Sequence, residues 1–326
     1  MINWGIIGCG EVTEVKSGPA FNKVPGSRLV AVMRRNAALA ADYAQRHGVP
    51  TWYADATELI NDPGVNAIYI ATPPSSHEAY ALQAIAAGKP IYLEKPMTPD
   101  AAAAHRVAVA AEQSGVKLTV AHYRRAQPFY QKLKELITEA IIGQIQLITL
   151  SYSRHPLDAI QLAQSRNAWR VDPAIAGGGL FHDLAPHQLD ILYHIFGTAS
   201  AVQGIALQQS GAYKAPDLVS GTIAWPQGIL FTGTWNFNLP AWQAQHDECV
   251  IMGTDGEIRF RFFGQAPLQL IKNGQVTNVE FPILPHVQEP MISQVVEYFQ
   301  GKRGNPCTAQ EGAQVMEWID RIAQQP

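Results

Sequence analysis

Asp183 and His187 stand four residues apart, and Asp190 follows three residues after the histidine. On a helix beginning near Gly179, that spacing sets a carboxylate and an imidazole on one face, about a turn apart. Such a pair can hold a hydroxyl and exchange its proton. Lys95 follows a short apolar run (Pro90 to Leu93) that reads as a parallel strand, and the carboxyl ends of such strands are where open α/β sheets bind ligands. Gly8-Cys9-Gly10-Glu11-Val12-Thr13 closes the first apolar run. Its glycines permit a tight bend and let a pyrophosphate approach backbone N–H groups, although Thr13 stands where a third glycine is usual. At the end of the second run, Val30-Ala31-Val32-Met33 leads into Arg34-Arg35. A binder of the unphosphorylated dinucleotide carries an acid there, whereas two guanidinium groups suit a 2′-phosphate. The chemistry these residues suggest is hydride transfer with a nicotinamide dinucleotide, NADP being expected and NAD the alternative.

The elements that would position these groups alternate in kind over the first ~120 residues, as a parallel sheet wrapped by helices requires. Strands are predicted at Ile2 to Gly8, Arg28 to Met33, Ala67 to Ala71, Pro90 to Leu93 and Lys117 to Ala121. Helices are predicted at Ala37 to His47, Ala54 to Asn61, His77 to Ala87 and Asp100 to Ser114. After Ala121 a helix (Pro128 to Glu139) leads to a long strand, Gln144 to Ser153. From Ala201 to Phe281, period-two runs are joined by turns such as Asp255-Gly256 and Asn273-Gly274. The expected class is therefore α/β: a Rossmann dinucleotide-binding domain over 1–121, then an α+β domain over 122–326 with a large open, mostly antiparallel sheet. The helices His182 to Phe196, Met291 to Phe299 and Ala309 to Ala323 are its available covers.

Composition narrows the function. The 326 residues suffice for about two domains at roughly 150 residues each, and 47% hydrophobic with 16% charged residues is a globular balance. The formal net charge of -3, without like-charge blocks, argues against nucleic-acid and polybasic membrane partners. The cysteines Cys9, Cys249 and Cys307 show no metal or disulfide spacing and read as free thiols. An apolar strand at the start and no run of ~18 apolar residues lead to the expectation of a soluble cytoplasmic protein.

Thr72-Pro73-Pro74-Ser75-Ser76-His77, Ala87-Gly88-Lys89-Pro90 and Glu94-Lys95-Pro96-Met97 carry a resemblance that extends along the whole chain. It continues through Ala121-His122-Tyr123-Arg124-Arg125-Ala126-Gln127-Pro128, Trp169-Arg170, Gly177-Gly178-Gly179-Leu180-Phe181-His182-Asp183 with His187, and Cys307-Thr308-Ala309-Gln310-Glu311-Gly312. The chain resembles the glucose-fructose oxidoreductase / inositol dehydrogenase / MocA family. That resemblance implies oxidation or reduction of a cyclic sugar, polyol or related carbonyl compound, and homodimers or homotetramers formed through the exposed sheet. It implies Lys95 and His187 as acid/base candidates, with Asp183 holding a substrate hydroxyl or tuning Lys95; which of the two carries the decisive proton stays open. Gly8, Gly10, Glu11, Val12, Arg34, Arg35, Thr72, Pro73, His77, Glu94 and Lys95 are the expected cofactor contacts. Tyr123, Arg124, Trp169, Arg170, Asp183 and His187 are the expected substrate contacts. The chain departs from the common family pattern at Tyr123, where many members carry Asn, and at Pro186, directly before His187.

No metal is expected, because His182, Asp183, His187 and Asp190 from a single helix give a poor tetrahedral set. Arg154, His155 and Arg166 read as solvated loop residues in preference to an anion site. Two other functions compete: a dinucleotide-binding regulator without turnover, and a dehydrogenase or reductase of a non-sugar ring such as a trans-dihydrodiol or a tetrapyrrole.

Overall fold

The computed structural model describes residues 1–324, the side chains of Ser165 and Arg166 excepted. The chain divides into two compact units. The first comprises Met1–Gln127 and Leu284–Met316, and the second comprises Pro128–Ile283 and the chain from Glu317 on.

In the first unit, β1 (Ile2–Ile7), β2 (Ser27–Met33), β3 (Thr51–Tyr53), β4 (Ala67–Ile70), β5 (Ile91–Leu93) and β6 (Leu118–Val120) form a parallel sheet in the order β3-β2-β1-β4-β5-β6. Chain direction and order place the ends of β1, β4 and β5 side by side, at the crevice where doubly wound sheets hold ligands. Local signals set the crossovers. Asn36 and Asp100 cap the Ala37–His47 and Ala101–Ser114 helices by accepting the N–H groups of Leu39 and Ala103, and Gly48 and Gly115 end them in the left-handed region. β3 was not foreseen, because three half-exposed residues on an edge show no apolar run; it pairs Ala31 with Thr51 and Met33 with Tyr53.

The Leu284–Met316 segment, expected with the C-terminal domain, packs in the first unit instead. Asn305 Nδ2 donates to the Leu118 carbonyl (2.7 Å), Thr119 Oγ1 donates to Asn305 Oδ1 (2.8 Å), and Val120 N donates to the Cys307 carbonyl (3.0 Å). The segment thus satisfies the edge of β6 that would otherwise be left open.

In the second unit, β7 (Ile145–Ser153), β8 (Ala201–Leu207), β9 (Leu218–Ala224), β10 (Leu230–Asn236), β11 (His246–Gly253), β12 (Glu257–Phe260), β13 (Leu268–Lys272) and β14 (Gln275–Val279) form one sheet, ordered β14-β13-β12-β11-β7-β10-β9-β8. β7 and β10 pair in parallel, and the other pairings are antiparallel. β14 follows the Asn273-Gly274 turn; its mostly exposed alternation buries no face, so the apolar pattern ends one strand early.

Register lays apolar rows across the covered face: Ile223–Phe231–Ile148–Ile251–Ile258, and beside it Val219–Trp235–Tyr152 with Asp247. Ile322, in the last helix (Ala309–Ile322), sits directly on this face. A Cβ at Gly221 would lie 2.7 Å from its Cγ2, so only glycine admits so close an approach. Over the other end lie the Leu180–Leu184 and Pro186–Phe196 helices. Trp235 anchors both, its ring centroid 5.0 Å from that of Phe181 and its Nε1 donating to Gln188 Oε1 at 2.7 Å. The opposite face carries Ser151, Ser220 and Thr234, with exposed Ile205 and Leu230.

Trp235→Ala removes this anchor and leaves Gln188 with a lost partner. A loss of about 3–5 kcal/mol is expected, read as a lowered midpoint in urea unfolding.

Candidate active site

The glycine turn is shaped for a backbone-bound ligand. Gly8 has φ +93, and a Cβ there would lie 2.7 Å from Thr72 Cγ2 and 2.8 Å from Thr72 N. Gly10, by contrast, is extended, and the nearest atom to a Cβ built on it is the Gly8 carbonyl at 3.8 Å. A side chain would fill that open space. Thr13 is fully buried: its hydroxyl donates to the Gly10 carbonyl (2.8 Å) and its own carbonyl accepts the Tyr43 hydroxyl (2.8 Å). The third-glycine position therefore fastens the turn from behind.

Glu11 and Val12 open the Glu11–Val15 helix, and Glu14 ties that helix to the Ala37–His47 helix through Arg46 (2.8 Å) and His47 (2.7 Å). The Arg46 hydrogen bond holds the Glu14 carboxyl well below the usual range, at about 2. Cys9 is buried, and burial pushes its thiol up to about 11, which removes it as a nucleophile. Arg34 and Arg35 are exposed at the end of β2, Arg34 Nη1 reaching the Cys9 carbonyl at 3.5 Å, and neither pairs with a carboxylate among the described residues. Open backbone at Gly10 beside two unbalanced cations is a donor set that fits a phosphorylated dinucleotide.

At the ends of β4 and β5, the expected cofactor residues have divided roles. Ser76 Oγ donates to Thr72 Oγ1 (2.8 Å), and Pro73 precedes a single 3₁₀ turn, Pro74–Ser76. His77 is buried, with Nε2 at the Thr72 carbonyl (2.7 Å) and Nδ1 at the Pro96 and Met97 carbonyls (3.1 and 3.2 Å). Both ring nitrogens face backbone, so His77 clamps the two loops together. Burial pushes its pKa down.

Glu94 is only 5% exposed. Its Oε1 accepts the Tyr69 hydroxyl and Gln288 Nε2, each at 2.6 Å, and its Oε2 accepts the backbone N–H of Lys95 at 3.0 Å. Gln288 Oε1 in turn accepts the Tyr92 hydroxyl (3.0 Å). Burial, and next the Glu94 charge, raise both phenols well above their ordinary pKa. Glu94 thus fixes the main chain at Lys95, where a cis bond to Pro96 follows. Gln288 was invisible in the sequence, because it arrives from 194 residues away and belongs to no motif. In the same unit, Tyr123 is buried, with the Arg124 guanidinium 5.9 Å from its ring centre.

The second unit gathers the remaining candidates. The expected single helix is interrupted at Ala185, because Pro186 has no N–H to continue the ladder; Ala185 nonetheless keeps helical angles. Asp183 ends up in the first short helix and His187 in the second. Arg170 Nε donates to Asp183 Oδ2 at 3.0 Å while its guanidinium stacks 4.7 Å over Trp169. His187 is 6% exposed, its ring edge-on to Phe263 at 5.9 Å, and Phe263 packs on Tyr152 at 5.3 Å. Asp247 accepts the N–H groups of Phe262 (3.2 Å) and Phe263 (2.6 Å).

Burial raises the Tyr152 phenol, Arg154 beside it acts in the opposite sense, and Asp247 and Asp183 add smaller upward effects. Tyr152, Asp247 and Phe263 were not anticipated. The alternation Ile148, Leu150, Tyr152 marks the inward face of β7, but the facing Asp247 appears only with the strand register. Of the three loop residues set aside as solvated, His155 is half-buried with Nδ1 at the Leu239 carbonyl (3.1 Å), and the side chain of Arg166 lies outside the described residues.

Residues 2–122 match the model of the oxidoreductase family with an NAD-binding Rossmann fold, and 130–259 match the GFO/IDH/MocA C-terminal domain. An oxidoreductase designated P35 from Formosa agariphila is 44% identical over 98% of this chain and 97% of its own. The chain belongs to the Gfo/Idh/MocA oxidoreductase family. As a member it is an NAD(P)-dependent oxidoreductase. Mouse trans-1,2-dihydrobenzene-1,2-diol dehydrogenase is a more distant relative, 29% identical over 87% of this chain and 81% of its own. Levoglucosan dehydrogenase, solved with NADH and levoglucosan, shares the fold at a TM-score of 0.83 and 23% identity, covering 98% of this chain and 96% of that one. No helix among the described residues is long and apolar enough to cross a membrane.

Glu14 gives a test of how the glycine turn is held. Its folded pKa lies below the ordinary value of 4.5, so its contribution is complete above that value and is lost as pH falls toward about 2. Glu14→Gln should lower the melting midpoint at pH 7 by about 1–3 °C. The difference from the parent should shrink on titration below pH 4.5.

Proposed function

We propose that this oxidoreductase prefers NADP and moves a hydride between the nicotinamide and a CH–OH group of a cyclic sugar or polyol. The observation that carries the reading is the polar cluster of the second unit. There Asp183 is oriented by Arg170, His187 stands against Phe263, and Trp169 adds an aromatic wall. A fixed carboxylate and imidazole among aromatic rings suit a polyhydroxylated ring, whose hydroxyls need partners and whose C–H faces stack on aromatic surfaces.

Bound dinucleotide supplies the hydride acceptor, or the donor in the reverse direction. Gly8, Gly10, Glu11 and Val12 shape the pyrophosphate turn, Arg34 and Arg35 take the 2′-phosphate, and Thr72 and Pro73 line the neighbouring strand end. His77 and Glu94 contribute by fixing the loops on which Thr72 and Lys95 stand. Lys95 and His187 are the acid/base pair, one of which takes the hydroxyl proton as the carbonyl forms, so that the C–H bond yields its electron pair while the O–H bond yields a proton to the protein. Asp183 holds a neighbouring hydroxyl, and Tyr123 and Arg124 contact substrate or nicotinamide. A second copy of this chain covers the open sheet face carrying Ile205 and Leu230, giving a homodimer or homotetramer.

The likeness to a dihydrodiol dehydrogenase supports a second reading, in which the same chemistry acts on a non-sugar ring. A regulator without turnover is disfavoured by Lys95, Asp183 and His187 occurring together.

Lys95→Ala and His187→Ala should each lower turnover by at least ~100-fold in a sugar, polyol and trans-dihydrodiol panel followed at the nicotinamide absorbance. Near-normal turnover in both variants contradicts the assignment, and turnover of the dihydrodiol alone selects the second reading.

A further inference from the structure

Arg154 is not the solvated loop residue that its position in the sequence suggests. Its N–H donates to the Asn236 carbonyl (2.8 Å) and its own carbonyl accepts Leu239 N (3.2 Å), so the main chain is held just past the end of β7. The side chain is half-buried and shares a hydrogen bond with the Tyr152 hydroxyl, while its Nε is buried without a hydrogen-bond partner. Among the described residues no carboxylate forms an ion pair with it. The two acids that share its surroundings have other commitments: Asp183 binds Arg170, and Asp247 accepts two backbone N–H groups. A guanidinium does not lose its charge at ordinary pH, and a half-buried one without a carboxylate partner is placed to receive an anionic ligand.

Resting on the reaction reading above, we propose that Arg154 receives a carboxylate of the substrate, so that the preferred substrate is an acidic sugar or polyol. Charge favours a carboxylate over a phosphate ester. Arg170 is taken up by Asp183, and Asp247 is held by backbone N–H groups, so Arg154 is the one guanidinium of this cluster without a carboxylate partner among the described residues and matches one negative charge. A phosphate dianion would bring a second charge toward two fixed carboxylates.

The test is calorimetric titration of the protein saturated with NADPH, a state in which an alcohol substrate binds without being oxidised. The probes are D-glucuronate and D-galacturonate, the matched neutral sugars D-glucose and D-galactose, and D-glucose 6-phosphate. The acids are expected to bind at least about tenfold more tightly than their neutral partners. Arg154→Gln should remove most of that ratio, and Arg154→Lys, which keeps the charge, should retain part of it. Equal or tighter binding of the neutral sugars, tighter binding of the phosphate ester, a ratio unchanged in Arg154→Gln, or no binding of any probe overturns the proposal. Oxidation assays with NADP separate it from the reaction reading. Acids that bind through Arg154 without being oxidised leave this assignment standing and sink the reaction. Neutral sugars oxidised as well as acids do the reverse.

Discussion

A carboxylate almost wholly removed from water must be satisfied on both oxygens, and Glu94 is the point on which the first unit turns. Its donors come from three places: the Tyr69 hydroxyl on β4, the Gln288 amide at the start of a late helix, and the N–H of its own neighbour, Lys95. Each hydrogen bond to a buried charge is worth about 1.5–3 kcal/mol, and losing one leaves a desolvated charge behind. The network therefore sets the path of the chain where β5 ends and binds the late segment to the early sheet. His77 extends the same constraint by fastening the Thr72 loop to the Pro96 and Met97 carbonyls. Lys95 owes its position to groups that do no chemistry themselves.

The second unit solves a matching problem with different parts. A wide, twisted sheet needs one face covered, and Gly221 lets the last helix sit directly on it, while Trp235 holds the two short helices that bear Asp183 and His187. Pro186 interrupts the ladder between those helices without changing the backbone direction, so the carboxylate and the imidazole stay on consecutive turns. Arg170 then orients Asp183, and Phe263, placed by Asp247, bounds His187. The polar groups are carried on a packed apolar floor, which suits the hydroxyl-holding role proposed for them.

Much of this was legible in the sequence wherever a local rule applied. The strand ending in Gly8-Cys9-Gly10, the Arg34-Arg35 pair at the end of β2 and the strand before Lys95 are all short-range patterns, and each element stands within a residue or two of its expected place. Edge strands escaped notice, since Thr51–Tyr53 and Gln275–Val279 bury too little to show a period. Long-range pairings escaped for a different reason. Nothing near Gln288 signals that it meets Glu94, and nothing near Asp247 signals that it faces Tyr152, because register and chain return decide both. The return of Leu284–Met316 to the first unit followed from the open edge of β6, which a linear reading does not display.

The open backbone at Gly10 and the two unbalanced guanidinium groups past β2 are the features behind the proposal that the first unit binds a 2′-phosphorylated dinucleotide. The most direct measurement is a fluorescence titration with NADPH and with NADH, following energy transfer from the seven tryptophans to the reduced nicotinamide. Micromolar binding of NADPH with much weaker binding of NADH is the expected result. Tighter binding of NADH would contradict the role given to Arg34 and Arg35, and binding of neither would contradict the cofactor site itself.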